Sequence, residues 1–217
     1  MSLQKVIKDI VEITGKTLIS TIPVGGACAT AIYDTVKGNV LQKRKEKWMS
    51  VIEKRIGSLE ISLDDLGNNE NFTTMLIKTT EIAMKTQKEE KLNYLASALK
   101  NSINSNLDED RMVIFMDLLE KYTVSHLKIL SFCNMPEQYK KEEDDHKVID
   151  NDTINLLPFD YLKAFHEKNP KIKPIFYKCY KDLYNDGLLI ESMPDSTNKK
   201  KTTFLGKAFL NFIITKE

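Results

Sequence analysis

The 217-residue chain is poor in what builds turns, sheets and cross-links: it has 8 Gly, 6 Pro, 1 Trp and 3 Cys. So few glycines and prolines exclude a fold rich in tight turns and argue for long helices. Cys28, Cys133 and Cys179 are odd in number and far apart. They make no disulfide framework, and reduced, mostly buried thiols in a cytoplasmic protein are expected. His126, His146 and His166 are equally scattered, so no metal-ligand spacing forms and no metal or cofactor is expected. The phosphate-loop, dinucleotide-binding, zinc-protease and nucleophile-elbow motifs are all missing. Charge of one sign is missing too: 32 basic residues face 31 acidic ones, and the net is +1. No overall field marks the chain for a polyanion.

What is present is a 41% apolar, 29% charged composition with a mean hydropathy of −0.34, enough to bury a core. One stretch, residues 17–33, carries no charge and is interrupted by Pro23, Gly25 and Gly26. A tightly packed core helix accounts for it. A membrane-inserting segment is the alternative, because about 17 residues is the lower limit for a span. A secretory leader is disfavoured by Asp9 and Glu12, which sit where such a leader is basic.

Helical spacing runs through the next hundred residues. Val36, Val40, Trp48, Val51, Ile52, Ile56 and Leu59 mark an amphipathic helix, with Lys37, Lys43, Arg44, Lys45, Lys47, Lys54 and Arg55 on its outer side. A basic flank of this kind also favours anionic lipid. Phe72, Met75, Leu76, Thr79, Ile82 and Ala83 predict a second helix. Leu92, Leu95, Ala96, Leu99 and Ile103 predict a third, opened by Glu89 and Glu90 at the positive end of its dipole. Met112, Phe115, Leu118, Leu119 and Tyr122 predict a fourth. Short connections imply antiparallel packing. Residues 134–152 hold seven acids against three lysines and read as a solvated insert. From residue 153 onward the chain has ten of its eighteen aromatics, with eleven lysines against seven acids. The expected organisation is therefore a helical module, 1–122, and a second domain, 123–217.

The second domain reads as three helices, a strand at 188–192, a polar loop, a strand at 200–202, and a last helix capped by Thr203. The run LYNDGLLI from Leu183, followed by TFLGKAF from Thr203, resembles the end of winged helix-turn-helix domains. The long acidic insert departs from that family's compact pattern. The fold class expected is mainly α: an antiparallel helical assembly, then a winged-helix-like domain with a small two-stranded β-wing. The resemblance implies nucleic-acid binding, with the third helix in a groove and the wing on the backbone. Lys171, Lys173, Tyr177, Lys178 and Lys181 on the helix, and Lys199, Lys200 and Lys201 on the wing, are the contact residues it implies. The region has no Arg for base recognition. In the first 120 residues, PVGG from Pro23, KRKEKW from Lys43 and EEKLNYLASALKNS from Glu89 resemble a pattern in uncharacterised bacterial helical proteins.

Three functions are weighed. The first is a non-enzymatic bacterial regulator or adaptor that binds nucleic acid, a protein partner or a second copy. The second is a membrane-acting helical protein that uses residues 17–33. The third, an enzyme, is rejected. Its acid–base groups would be His126 with Glu120 or His166 with Glu167, and adjacent residues do not face each other on a helix.

Overall fold

The computed structural model describes residues 9, 12, 40–56, 66, 68–103, 108–134, 173–190 and 202–214. These form seven α-helices: α1 Gln42–Ile56, α2 Glu70–Lys85, α3 Glu89–Ile103, α4 Glu109–Lys121, α5 Val124–Asn134, α6 Lys173–Asn185 and α7 Phe204–Ile213. The chain divides into two compact units. One is Met1–Lys121 with Phe212–Glu217; the other is Tyr122–Asn211. Residues 17–33 and most of the acidic insert lie outside the described residues. Among those described, no helix is long and apolar enough to cross a membrane.

In the first unit, α1, α2 and α3 pack on one another and α4 packs on α2. The apolar faces read from spacing are the buried ones: Trp48, Ile52 and Ile56 on α1, Phe72 to Ala83 at helical intervals on α2, and Leu92, Leu95, Ala96 and Leu99 on α3. Val51, Leu118 and Ile103 are only partly covered and Val40 is exposed, while Met116 is buried. Polar side chains define the starts. The Asn69 carboxamide oxygen accepts from Phe72 N–H at 2.9 Å, and Asp108 Oδ1 accepts from Arg111 N–H at 2.9 Å. The indole of Trp48 is completely buried and donates to Thr80 Oγ1 at 3.1 Å, which answers the hydrogen-bonding demand of a buried tryptophan.

Helix ends in this unit are closed from outside the helix. Arg44 donates to the Met84 carbonyl at 2.7 Å, at the end of α2. Lys91 donates to the Leu119 carbonyl, at the end of α4. Asn101 donates to the Phe212 carbonyl at 2.8 Å, at the end of α7. Each acceptor is among the last four carbonyls of its helix, which have no partner within the helix. The Phe212 ring also lies 5.3 Å from that of Phe115.

The second unit corrects the wing. The described residues contain no strand; they contain an isolated antiparallel bridge between Leu189 and Thr202. Leu188 N–H is already used, donating to the Leu183 carbonyl at 2.9 Å, and Gly187 N–H donates to the Tyr184 carbonyl at 3.0 Å. With Gly187 at φ 72, these two bonds are a Schellman ending for α6. The Leu188 carbonyl then accepts Thr203 N–H at 3.0 Å, and Thr203 Oγ1 accepts from Gly206 N–H at 3.0 Å. Thr203 is thus the cap of α7, as its position predicts. Leu188, the first residue of one expected strand, completes the ending of α6, and Thr203, just after the other, starts α7. The expected wing loop, 193–199, lies outside the described residues, as do 191, 192, 200 and 201 of the two expected strands.

Two predictions follow from these contacts. Lys91 is buried, and burial lowers its ammonium from the ordinary 10.5 to about 8, with Glu120 pulling the other way. Between those values the unfolded chain holds more protons than the folded one, so stability rises with pH from about 8 towards 10. The full effect is on the order of 3 kcal/mol. Urea midpoints measured across that range will show the rise, and Lys91→Met will flatten it. A Cβ on Gly206 would sit 2.3 Å from the Leu188 carbonyl oxygen, a backbone atom. Alanine gains about 1 kcal/mol of helix propensity there, but overpacking costs about 1–3 kcal/mol and a main-chain obstacle is the costly kind. Gly206→Ala should therefore lower the urea midpoint.

Candidate functional site

The chemistry of the second unit gathers where α5 packs against α6. Thr123 precedes α5 and His126 is in its first turn. Thr123 N–H donates to His126 Nδ1 at 3.2 Å, and the Thr123 hydroxyl lies 2.8 Å from the same nitrogen. A backbone N–H can only donate, so Nδ1 is an acceptor and the neutral ring carries its proton on Nε2. Nε2 lies 3.3 Å from Asp182 Oδ2, and Lys178 Nζ pairs with Asp182 Oδ1. The Tyr122 ring stacks on the imidazole, centroids 5.0 Å apart at 19°, and its hydroxyl donates to Asp186 Oδ2 at 2.5 Å. The Phe209 ring meets Tyr122 edge-on at 6.1 Å.

Electrostatics follow from this packing. The Lys178 ammonium, followed by the His126 contact, holds the Asp182 carboxyl below its ordinary 3.8. Burial, and then the Asp186 carboxylate, push the Tyr122 phenol far up, so it remains a protonated donor. Cys179 is buried and free, and burial raises its thiol. That is the reverse of the activation a nucleophilic cysteine needs. Cys133 is also buried and forms no disulfide. Among the described residues, no group of three or more His, Cys, Asp or Glu could hold a metal. The cluster ties α5 to α6 and fixes which side of α6 turns outward.

That outer side carries the part of the expected contact set that can be placed. Tyr177, Lys178 and Lys181 are exposed on α6, and Tyr184 joins them one turn further along. Phe176, Cys179 and Leu183 are buried on the opposite side. Tyr177, Lys181 and Tyr184 stand at i, i+4 and i+7, one line along the helix. Lys178 is engaged by Asp182. Lys173 is the first residue of α6. Lys171, Lys199, Lys200 and Lys201 lie outside the described residues, as do His166 and Glu167. His126 meets Asp182 where Glu120 was considered, and Glu120 pairs with Lys85 at 2.8 Å. Sequence reasoning missed Asp182 and Asp186. Their signal was faint: they are the only acids from residue 173 to 190, spaced i, i+4.

Comparison of the chain with protein-family models, curated proteins and solved structures finds no match. With no strand pair among the described residues, the winged helix-turn-helix resemblance is withdrawn. The bacterial helical pattern read in the first 120 residues gains no support either.

The pH dependence of this cluster follows from Asp182. Its folded value is depressed, so its contribution to stability is fully present above about pH 4 and is lost as pH falls through the folded value. Urea midpoints from pH 7 down to 2.5 should fall for the native chain, and Asp182→Asn should give a shallower acid limb.

Proposed function

We propose that the chain is a non-enzymatic regulator or adaptor, and that the outer face of α6 is its contact surface for a nucleic-acid strand. The observation that carries this is the exposed line of Tyr177, Lys181 and Tyr184 on a helix held from behind by the Tyr122, His126, Asp182 and Asp186 cluster. Lysines meet phosphates and tyrosine rings stack on bases, with each stacked base worth about 1–3 kcal/mol. A surface on a rigidly held helix loses little freedom when it binds. The non-enzymatic reading is supported by His126, whose two ring nitrogens are both engaged, and by the raised Cys179 thiol.

A second reading, a protein partner on the same unit, is favoured by large exposed apolar groups. Phe204 is 88% exposed and Ile175 is 58% exposed. The membrane reading depended on residues 17–33, which lie outside the described residues.

Fluorescence anisotropy of labelled single-stranded and duplex oligonucleotides tests the proposal. Neutralising one phosphate costs about threefold in affinity between 50 and 200 mM salt. Saturable binding with at least that salt dependence is expected, weakened by Lys181→Glu and by Tyr177→Ala. Lys181 is the cleaner site, because a Lys178 substitution would also disturb Asp182. No binding at tens of micromolar overturns the nucleic-acid reading and leaves the protein partner.

A further inference from the structure

In the first unit, α1 and the turn between α2 and α3 enclose a cleft of about 360 Å³. Val40, Ala83 and Leu92 supply apolar wall, Thr86 and Gln87 supply polar groups, and Lys43, Arg44 and Lys47 bring three cations. The volume is at the small end of the range for small-molecule sites, and the mixture of apolar wall with a few converging polar groups is what such sites have.

The charge balance narrows the ligand. Lys47 is neutralised by Glu89 at 2.8 Å, and the Lys47 contact in turn holds the Glu89 carboxyl below its ordinary range. Arg44 is oriented by its bond to the Met84 carbonyl, so its guanidinium is fixed in place at the cleft. Among the described residues Lys43 has neither a hydrogen bond nor an ion pair, and it is exposed. A fixed guanidinium and an uncommitted ammonium beside an apolar floor suit one negative charge attached to an apolar body. We propose that this cleft binds a small amphiphilic carboxylate, with its head between Lys43 and Arg44 and its chain along Val40, Ala83 and Leu92. A bare anion would leave the apolar wall in water, and a neutral chain would leave the cations unanswered. Cations placed where a carboxylate can meet them give the strongest class of hydrogen bond.

Isothermal titration calorimetry on the full chain separates these cases, with decanoate, decanol and inorganic phosphate as probes. Decanoate should bind with one-to-one stoichiometry, at least about tenfold more tightly than either decanol or phosphate. Lys43→Glu and Val40→Asp should each weaken decanoate about tenfold or more, while Lys43→Arg keeps affinity within about threefold. Both positions are exposed, so thermal melts of the variants should match the native chain. Lys43→Met provides a second reading should a charge-reversed variant melt early. Equal affinity for decanol and decanoate, phosphate binding as tight as decanoate, unchanged decanoate affinity in Lys43→Glu, or no heat up to millimolar decanoate would each overturn the proposal.

Discussion

A helix that ends inside a protein exposes carbonyls that have no partner within the helix, and this chain has few glycines with which to fold back on them. The first unit depends on how that demand is met. Arg44, Lys91 and Asn101 each reach from one helix to a terminal carbonyl of another: Met84 on α2, Leu119 on α4 and Phe212 on α7. Each bond satisfies an orphan acceptor, and those of Arg44 and Lys91 also fix one helix of the unit against the end of its neighbour. The negative end of the helix dipole makes a cation the natural donor, which two of the three use. This also explains why a lysine can sit in the core at position 91. Its ammonium lies against the Leu119 carbonyl, with the Glu120 charge close enough to favour the protonated form. The cost of its burial appears in its lowered affinity for the proton. Replacing it with an apolar residue would remove that cost and leave the Leu119 carbonyl in want of a partner.

The second unit meets the same demand with glycine at the end of α6. Gly187 takes the left-handed conformation that finishes α6, and the next carbonyl, Leu188, receives the start of α7. The two helices are joined so tightly there that Gly206 has no room for a side chain. These contacts account for the pattern that resembled a winged helix. Gly187, Thr203 and Gly206 are what any such helix-to-helix junction needs: a left-handed ending, a hydroxyl cap and a clear path for a carbonyl. The residues were correctly singled out, but their chemistry is that of capping. Leu188 gives its N–H to the helix ending and its carbonyl to Thr203 beside the Leu189–Thr202 bridge, so among the described residues the pairing is a single bridge and not a strand pair.

How much was legible follows from the range of each interaction. The buried faces of α2 and α3 and the cap at Thr203 depend on residues within a few turns of one another, and spacing reveals them. Pairings across the fold are different in kind. His126 and Asp182 are 56 residues apart, and Tyr122 and Asp186 are 64 apart. Nothing in either local pattern says that a phenol and an imidazole stacked together will find their acceptors one turn apart on a later helix. Reading His126 against Glu120 looked for its partner on the neighbouring helix, whereas Glu120 faces Lys85.

The same geometry shapes the candidate surface on α6. A helix has one buried side and one exposed side, so anchoring Asp182 and Asp186 inward on α5 and its entry determines what remains outside. Lys178, although exposed, is drawn towards Asp182, which lowers the positive field it can offer to a phosphate. Among the expected contacts on α6 whose exposure is described, the charge left is then chiefly that of Lys181, flanked along the helix by Tyr177 and Tyr184. One lysine between two phenol rings is a weak field and a good stacking platform. On the proposed nucleic-acid reading, this balance favours unpaired bases, which offer their flat surfaces, over a duplex, which offers mainly phosphates and groove edges.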